Sequence, residues 1–183
     1  MPTNVQSFCV NQIEKLLLVG DLRTTGQDKA VIKRVLSQPA LFDDVINAIL
    51  ADHPGLRMRA SDVAEKITRE HPEWLTPYKS LIIKKISGIT QKEVRWHTAQ
   101  MLPRLKLAKK ERERVFDLLL GYLDDESRIV KTFAMQALAE IAMQDHAYLN
   151  KVRDLIEQLT RQGIPAMRSR GKKLLVTLNK VAT

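Results

Sequence analysis

Four histidines, at positions 53, 71, 97 and 146, and one cysteine, Cys9, are the residue types here that most often hold a metal or act as a nucleophile. Their spacing supports neither chemistry. The histidines do not pair at helical spacing with a second ligand type. There is no Cys-x-x-Cys, no His-Glu-x-x-His and no Gly-rich phosphate loop. A single thiol cannot close an intrachain disulfide. Cys9 falls on the apolar face of a predicted helix, where it reads as core. The expectation is a chain that is not an enzyme and carries no cofactor and no metal.

Charge is the remaining chemistry. Against 21 acidic residues stand 30 Lys and Arg, a net charge of +9 in 183 residues. The excess is uneven. Residues 39–90 balance at 7 basic and 7 acidic, residues 91–123 hold 8 and 4, residues 124–145 hold 2 and 5, and residues 146–183 hold 8 and 2. A basic final third suits an acidic protein, a polyanion or an anionic surface. No apolar run approaches the ~18 residues of a membrane span. No basic stretch followed by an apolar one opens the chain as a secretory signal would. The expected compartment is cytoplasmic, with no membrane contact.

These residues need elements to position them. The composition favours helices: 44% of residues are hydrophobic, aromatics are only 5%, and Leu and Ala dominate. One pattern recurs four times. An apolar and a basic residue are followed by a small residue and then by apolar residues at helical spacing. The copies are Leu56-Arg57 with Ala60, Ala64 and Ile67; Val94-Arg95 with Thr98, Leu102 and Leu105; Val130-Lys131 with Ala134, Leu138 and Ile141; and Met167-Arg168 with Gly171, Leu175 and Leu178. The basic positions stand 38, 36 and 37 residues apart. Each apolar set falls on one helix face, and the small residue allows a neighbouring backbone to approach.

A periodic apolar segment precedes each copy, at 40–52, 74–87, 109–123 and 147–160. His53-Pro54-Gly55, His71-Pro72, Ser87-Gly88, Asp124-Asp125 and Gly163-Ile164-Pro165 punctuate the helices. Asp124 or Asp125 and Thr90 are expected N-caps. Pro103 is expected to end or kink its helix and so redirect Arg104. Residues 5–19 and 27–37 read as two further helices, around a degenerate copy at Leu22-Arg23, Gly26 and Ala30. The expectation is a single repeat domain over 1–183, with helix pairs near 5–37, 40–70, 73–107, 109–143 and 146–181.

The second helices Val94-Arg95-Trp96-His97-Thr98-Ala99-Gln100-Met101-Leu102 and Ile129-Val130-Lys131-Thr132-Phe133-Ala134-Met135-Gln136-Ala137-Leu138 resemble those of HEAT repeats. The resemblance implies an all-α, right-handed α-solenoid of about five helix pairs. It also implies a ladder in which an Asp in the turn before a basic residue joins neighbouring repeats. Asp52 and Asp125 stand in such turns, before Arg57 and Lys131, whereas the turns before Arg95 and Arg168 lack an acid.

In such solenoids the second helices line the binding face. In register, they place Arg59, His97 and Arg170 in the groove, with Phe133 at the same position. Trp96, Gln100, Arg104, Gln136 and Lys173 complete the expected contact stripe. Trp96 and Phe133 would be its anchors, and Asp62 and Glu140 interrupt its positive charge. The function implied is a non-enzymatic scaffold that binds an acidic or amphipathic protein or peptide. An alternative is nucleic-acid binding through Arg59, Arg104, Arg168, Arg170, Lys172, Lys173 and Lys180. The architecture also resembles that of alkylpurine DNA glycosylases built from HEAT-like repeats, in which Trp96 with Asp62 or Glu140 would form the pocket. The oligomeric state is left open.

Overall fold

Apolar residues that recur every three or four positions reach one side of the chain only if the chain is helical. The computed structural model, which describes residues 12–19 and 27–181, is built that way. Among the described residues every regular element is a helix: ten α-helices with five 3-10 segments between some of them. None of these helices is long and apolar enough to cross a membrane. The chain divides into two compact units, residues 1–67 and 68–183. Cys9 and the degenerate copy at Leu22-Arg23 lie outside the described residues.

In the first unit α1 (Gln12–Leu17) packs against α2 (Asp28–Ser37) and α3 (Phe42–Ala48). The long helix α4 (Pro54–Glu70) follows. Proline at its first position needs no backbone donor there. His53 caps this start, its Nδ1 accepting the Leu56 N–H at 3.1 Å. Ile13, Leu17, Val31, Val35, Phe42 and Val63 are buried between these helices.

The first unit also buries charge. Asp28 is 4% exposed, 3.8 Å from Lys66 Nζ and hydrogen-bonded to Asp62. Burial pushes its carboxyl up to about 7, and the bond to Asp62 and its negative charge add to the effect. Lys66 and Arg59 pull the other way without cancelling it. The folded state therefore binds this proton more tightly than the unfolded chain. Stability is highest while Asp28 is protonated, and it falls as pH rises from the ordinary carboxyl range towards 7. Denaturant unfolding of the whole chain should give a higher midpoint near pH 5 than near pH 8. Asp28→Asn should raise the pH 8 midpoint and flatten the profile, and an unchanged profile would remove this account of the cluster.

The second unit begins with the end of α4, from Thr68, and continues with a 3-10 segment, Pro72–Tyr78, and then α5 (Lys79–Lys84), α6 (Lys92–Met101), α7 (Lys109–Tyr122), α8 (Arg128–Gln144), α9 (Leu149–Gln162) and α10 (Pro165–Val181). The helix expected over 74–87 is α-helical only at 79–84. Pro77 has no N–H to donate and its ring disfavours the α conformation at Thr76, so the chain takes the tighter 3-10 path there. Pro103 acts as expected: α6 ends at Met101 and a 3-10 turn, Leu102–Arg104, follows. The expected caps are displaced. Gln91 and not Thr90 precedes α6, and Ser127 precedes α8. Asp125 still serves that turn, its Oδ1 accepting the Ser127 N–H at 2.7 Å.

Helix α8 is the centre of this unit. It packs against α6, α7, α9 and α10, while α9 packs on α10. The four repeated patterns meet their burial expectation at every apolar and small position except Leu175, which is half-buried. Gly171 shows why a small residue is needed: a Cβ added there would stand 1.9 Å from Thr160 Oγ1 of α9.

Among the described residues ion pairs join successive helix pairs, and Lys79 on α5 meets Glu111 on α7 at 2.7 Å. Arg95 Nη1 on α6 meets Asp125 Oδ2 in the turn before α8 at 2.5 Å. Arg112 on α7 meets Asp145 in the turn before α9 at 2.6 Å. The hydrogen bond from Arg112 holds the Asp145 carboxyl below its ordinary range, and the Ala147 N–H assists. The Arg95 guanidinium also lies 5.4 Å from the centre of the Tyr122 ring. Tyr122 is buried, its hydroxyl donates to Ser87 O at 2.6 Å, and burial raises its phenol above the ordinary value.

Candidate functional site

The residues expected in the groove fall into three groups. In the first unit Arg59 is not at an open surface. It is 3% exposed and its Nη1 donates to Leu17 O, the last residue of α1, at 2.6 Å. A six-residue helix leaves its final carbonyls without helical partners, and a guanidinium is a strong donor to them. His97 is likewise buried, at 8% exposure, with its ring 5.3 Å from that of Trp96. Both stand three positions after the apolar start, about 60° from the buried stripe, where a side chain turns inward if a partner waits there.

Trp96, Gln100 and Arg104 form the second group, all half-buried. Gln100 Nε2 donates to Trp96 O within its own helix at 3.2 Å. Arg104 Nη1 reaches Thr68 Oγ1, also at 3.2 Å.

The third group assembles into a site. A cleft of about 480 Å³ between α8 and α10 is lined by Thr132 and Gln136 on one side and by Ser169, Arg170, Lys173 and Thr177 on the other. The Arg170 guanidinium lies 5.8 Å from the centre of the Phe133 ring, and its Nη1 donates to Gln136 Oε1. Gln136 Nε2 in turn donates to Glu140 Oε1 at 2.7 Å. This chain fixes the amide, since a flipped Gln136 would aim its NH₂ at the guanidinium. Lys173 is exposed at the rim. The result is a cation over an aromatic ring beside an oriented amide.

The structure also brings together cations that the groove register does not include. Lys79, Lys106 and Arg112 line a larger cleft, of about 950 Å³, beside Arg104. They come from three different elements, so helical periodicity could not group them. The signal in the sequence is the basic excess over 91–123. Of the carboxylates considered for a glycosylase-like pocket, Asp62 pairs with Lys66 at 2.5 Å and Glu140 is held by Gln136. Compared with protein-family models, with curated proteins and with solved structures, the chain matches none.

Proposed function

We propose that residues 68–181 form a right-handed solenoid of HEAT-like helix pairs, and that the chain is a non-enzymatic binding scaffold. Its partner is an acidic or amphipathic protein segment seated between α8 and α10. The observation that carries this reading is Arg170, set over the Phe133 ring and hydrogen-bonded to Gln136, with Lys173 exposed beside it. Such a cation is positioned to take a carboxylate while Phe133 supplies apolar contact. A chain with one cysteine suits a reducing compartment such as the cytoplasm.

Nucleic acid is the second reading, favoured by the exposed Arg168, Lys172, Lys173 and Lys180 on α10. The cleft itself argues against it. Gln136 of the cleft holds Glu140 beside it, whose charge breaks the positive run, and the Arg170 guanidinium already lies over the Phe133 ring that a base would need for stacking.

Fluorescence anisotropy with a labelled peptide of alternating Glu and Leu, and with a labelled DNA duplex, separates the two. The peptide should bind at ~150 mM salt and lose about tenfold in affinity with Arg170→Glu, while duplex binding fades by that salt. Duplex affinity that stays micromolar at ~150 mM salt, with log K linear in log salt, would transfer the function to nucleic acid.

A further inference from the structure

The surface that α8 offers does not end at the α8–α10 cleft. Thr132 and Gln136 line that cleft, and Glu140 and Gln144, further along the same helix, line the 950 Å³ cleft. These four residues are spaced by four and form one ridge of the helix. The Gln136–Glu140 hydrogen bond joins the two halves. Gln144 Nε2 donates to Pro103 O at 2.8 Å, fixing the 3-10 turn after α6 against the end of α8.

The larger cleft is cationic and amphipathic. Arg69, Lys79, Arg104, Lys106 and Arg112 line it, against the single lining carboxylate Glu140. Glu111 and Asp145 pair with Lys79 and Arg112, at 2.7 and 2.6 Å, and Lys106 stands exposed at the cleft. Pro103, Leu105 and Met143 supply apolar wall. The complement is a chain that carries both carboxylates and apolar side chains.

We infer that the two clefts are the halves of one recognition groove whose occupant is a single extended peptide segment with two separated acidic residues. This rests on the scaffold reading above. From Thr132 to Gln144 the helix rises about 18 Å, at about 1.5 Å per residue. An extended chain covers that span in about five or six residues, at about 3.3 Å each. Glu140 stands between the two cationic ends and repels an acid placed there. The groove therefore selects an acid, a neutral middle with apolar side chains, and a second acid, and it discriminates against a uniformly acidic chain. Joining two weak contacts on one segment raises affinity through effective concentration.

The probes are three labelled eight-residue peptides: one with glutamates about six positions apart and a neutral leucine-bearing middle, one with both glutamates at the same end, and octaglutamate. Each is titrated against the full chain and against Lys106→Glu and Lys173→Glu. Both lysines are exposed, so neither change disturbs the core. The two-ended peptide should bind tightest, and each charge reversal should weaken it about tenfold. Its backbone amide shifts should map to both clefts. If Lys173→Glu weakens this peptide and Lys106→Glu does not, the two-part groove is wrong and the α8–α10 site stands. If neither variant matters, both readings fall. If octaglutamate binds as well as the two-ended peptide, the selecting role of Glu140 is wrong. If inorganic tripolyphosphate binds with the same dependence on both lysines and the peptides do not, the ligand class is wrong.

Discussion

Asp125→Ala is expected to lower the stability of the second unit by about 2–4 kcal/mol. Asp125 has only 9% of its side chain exposed, and one carboxylate serves two partners. Its Oδ2 meets Arg95 Nη1 at 2.5 Å and its Oδ1 accepts the Ser127 N–H at 2.7 Å. Removing it leaves a guanidinium whose side chain is 25% exposed with a lost counter-charge, and leaves the turn into α8 without its acceptor. The Arg95 Nε bond to Ile89 O, at 3.2 Å, persists and holds the cation in place, so the cation cannot simply swing into water. Urea unfolding should show the loss as a lower midpoint with an unchanged slope. The double variant with Arg95→Ala should be less damaged than the sum of the two single changes, because it removes the stranded charge. Strict additivity would mean that the pair contributes nothing.

Gly171→Leu is the second large effect. A Cβ at this position meets Thr160 Oγ1 at 1.9 Å and Thr160 Cβ at 3.1 Å, and a leucine adds three more carbons behind it. Thr160 cannot turn aside without cost, because its hydroxyl donates to Ile156 O at 2.6 Å. Overpacking of this kind costs about 1–3 kcal/mol. For a unit of this size that is a fall in melting temperature on the order of 5–10 °C. Gly171→Ala tests the cause. Alanine gains about 1 kcal/mol of helix propensity over glycine. In the native background the clash should outweigh that gain. With Thr160→Ala only the 3.1 Å contact remains, and the same change should become neutral or stabilising. An identical effect in both backgrounds would show that α9 does not limit this position.

The repeat was legible because burial is a periodic property. Leu56, Val94, Val130 and Met167, with the small residues four positions after them, face inward in each copy as their spacing demands. The cleft between α8 and α10 was legible for the same reason, since Gln136, Arg170 and Lys173 stand on faces that the register defines. Arg59 and His97 are buried and not in the groove that the register assigns them, because their position borders the buried stripe. Whether a side chain there turns inward depends on what lies beneath it, and for Arg59 that is the carbonyl of Leu17, 42 residues away. The ladder was half visible. Its place in the turn assigns Asp125 to Lys131, yet its partner is Arg95 of the preceding pair. The second cleft showed in the sequence only as a basic excess over 91–123, because Lys79, Lys106 and Arg112 come from different elements that the fold brings together.

The bonds between helix pairs have one more consequence, and it concerns the time the chain takes to fold. Arg95 to Asp125 spans 30 residues, Arg112 to Asp145 33, Arg170 to Gln136 34, Tyr122 to Ser87 35 and Gln144 to Pro103 41. Each closes a loop of about one repeat. Loop-closure entropy grows slowly with length, and none of these contacts must wait for a distant segment to arrive. Low contact order of this kind belongs to helical chains that fold in microseconds to milliseconds. With α6, α7, α9 and α10 all packed on α8, that helix is the element of the second unit on which such contacts converge.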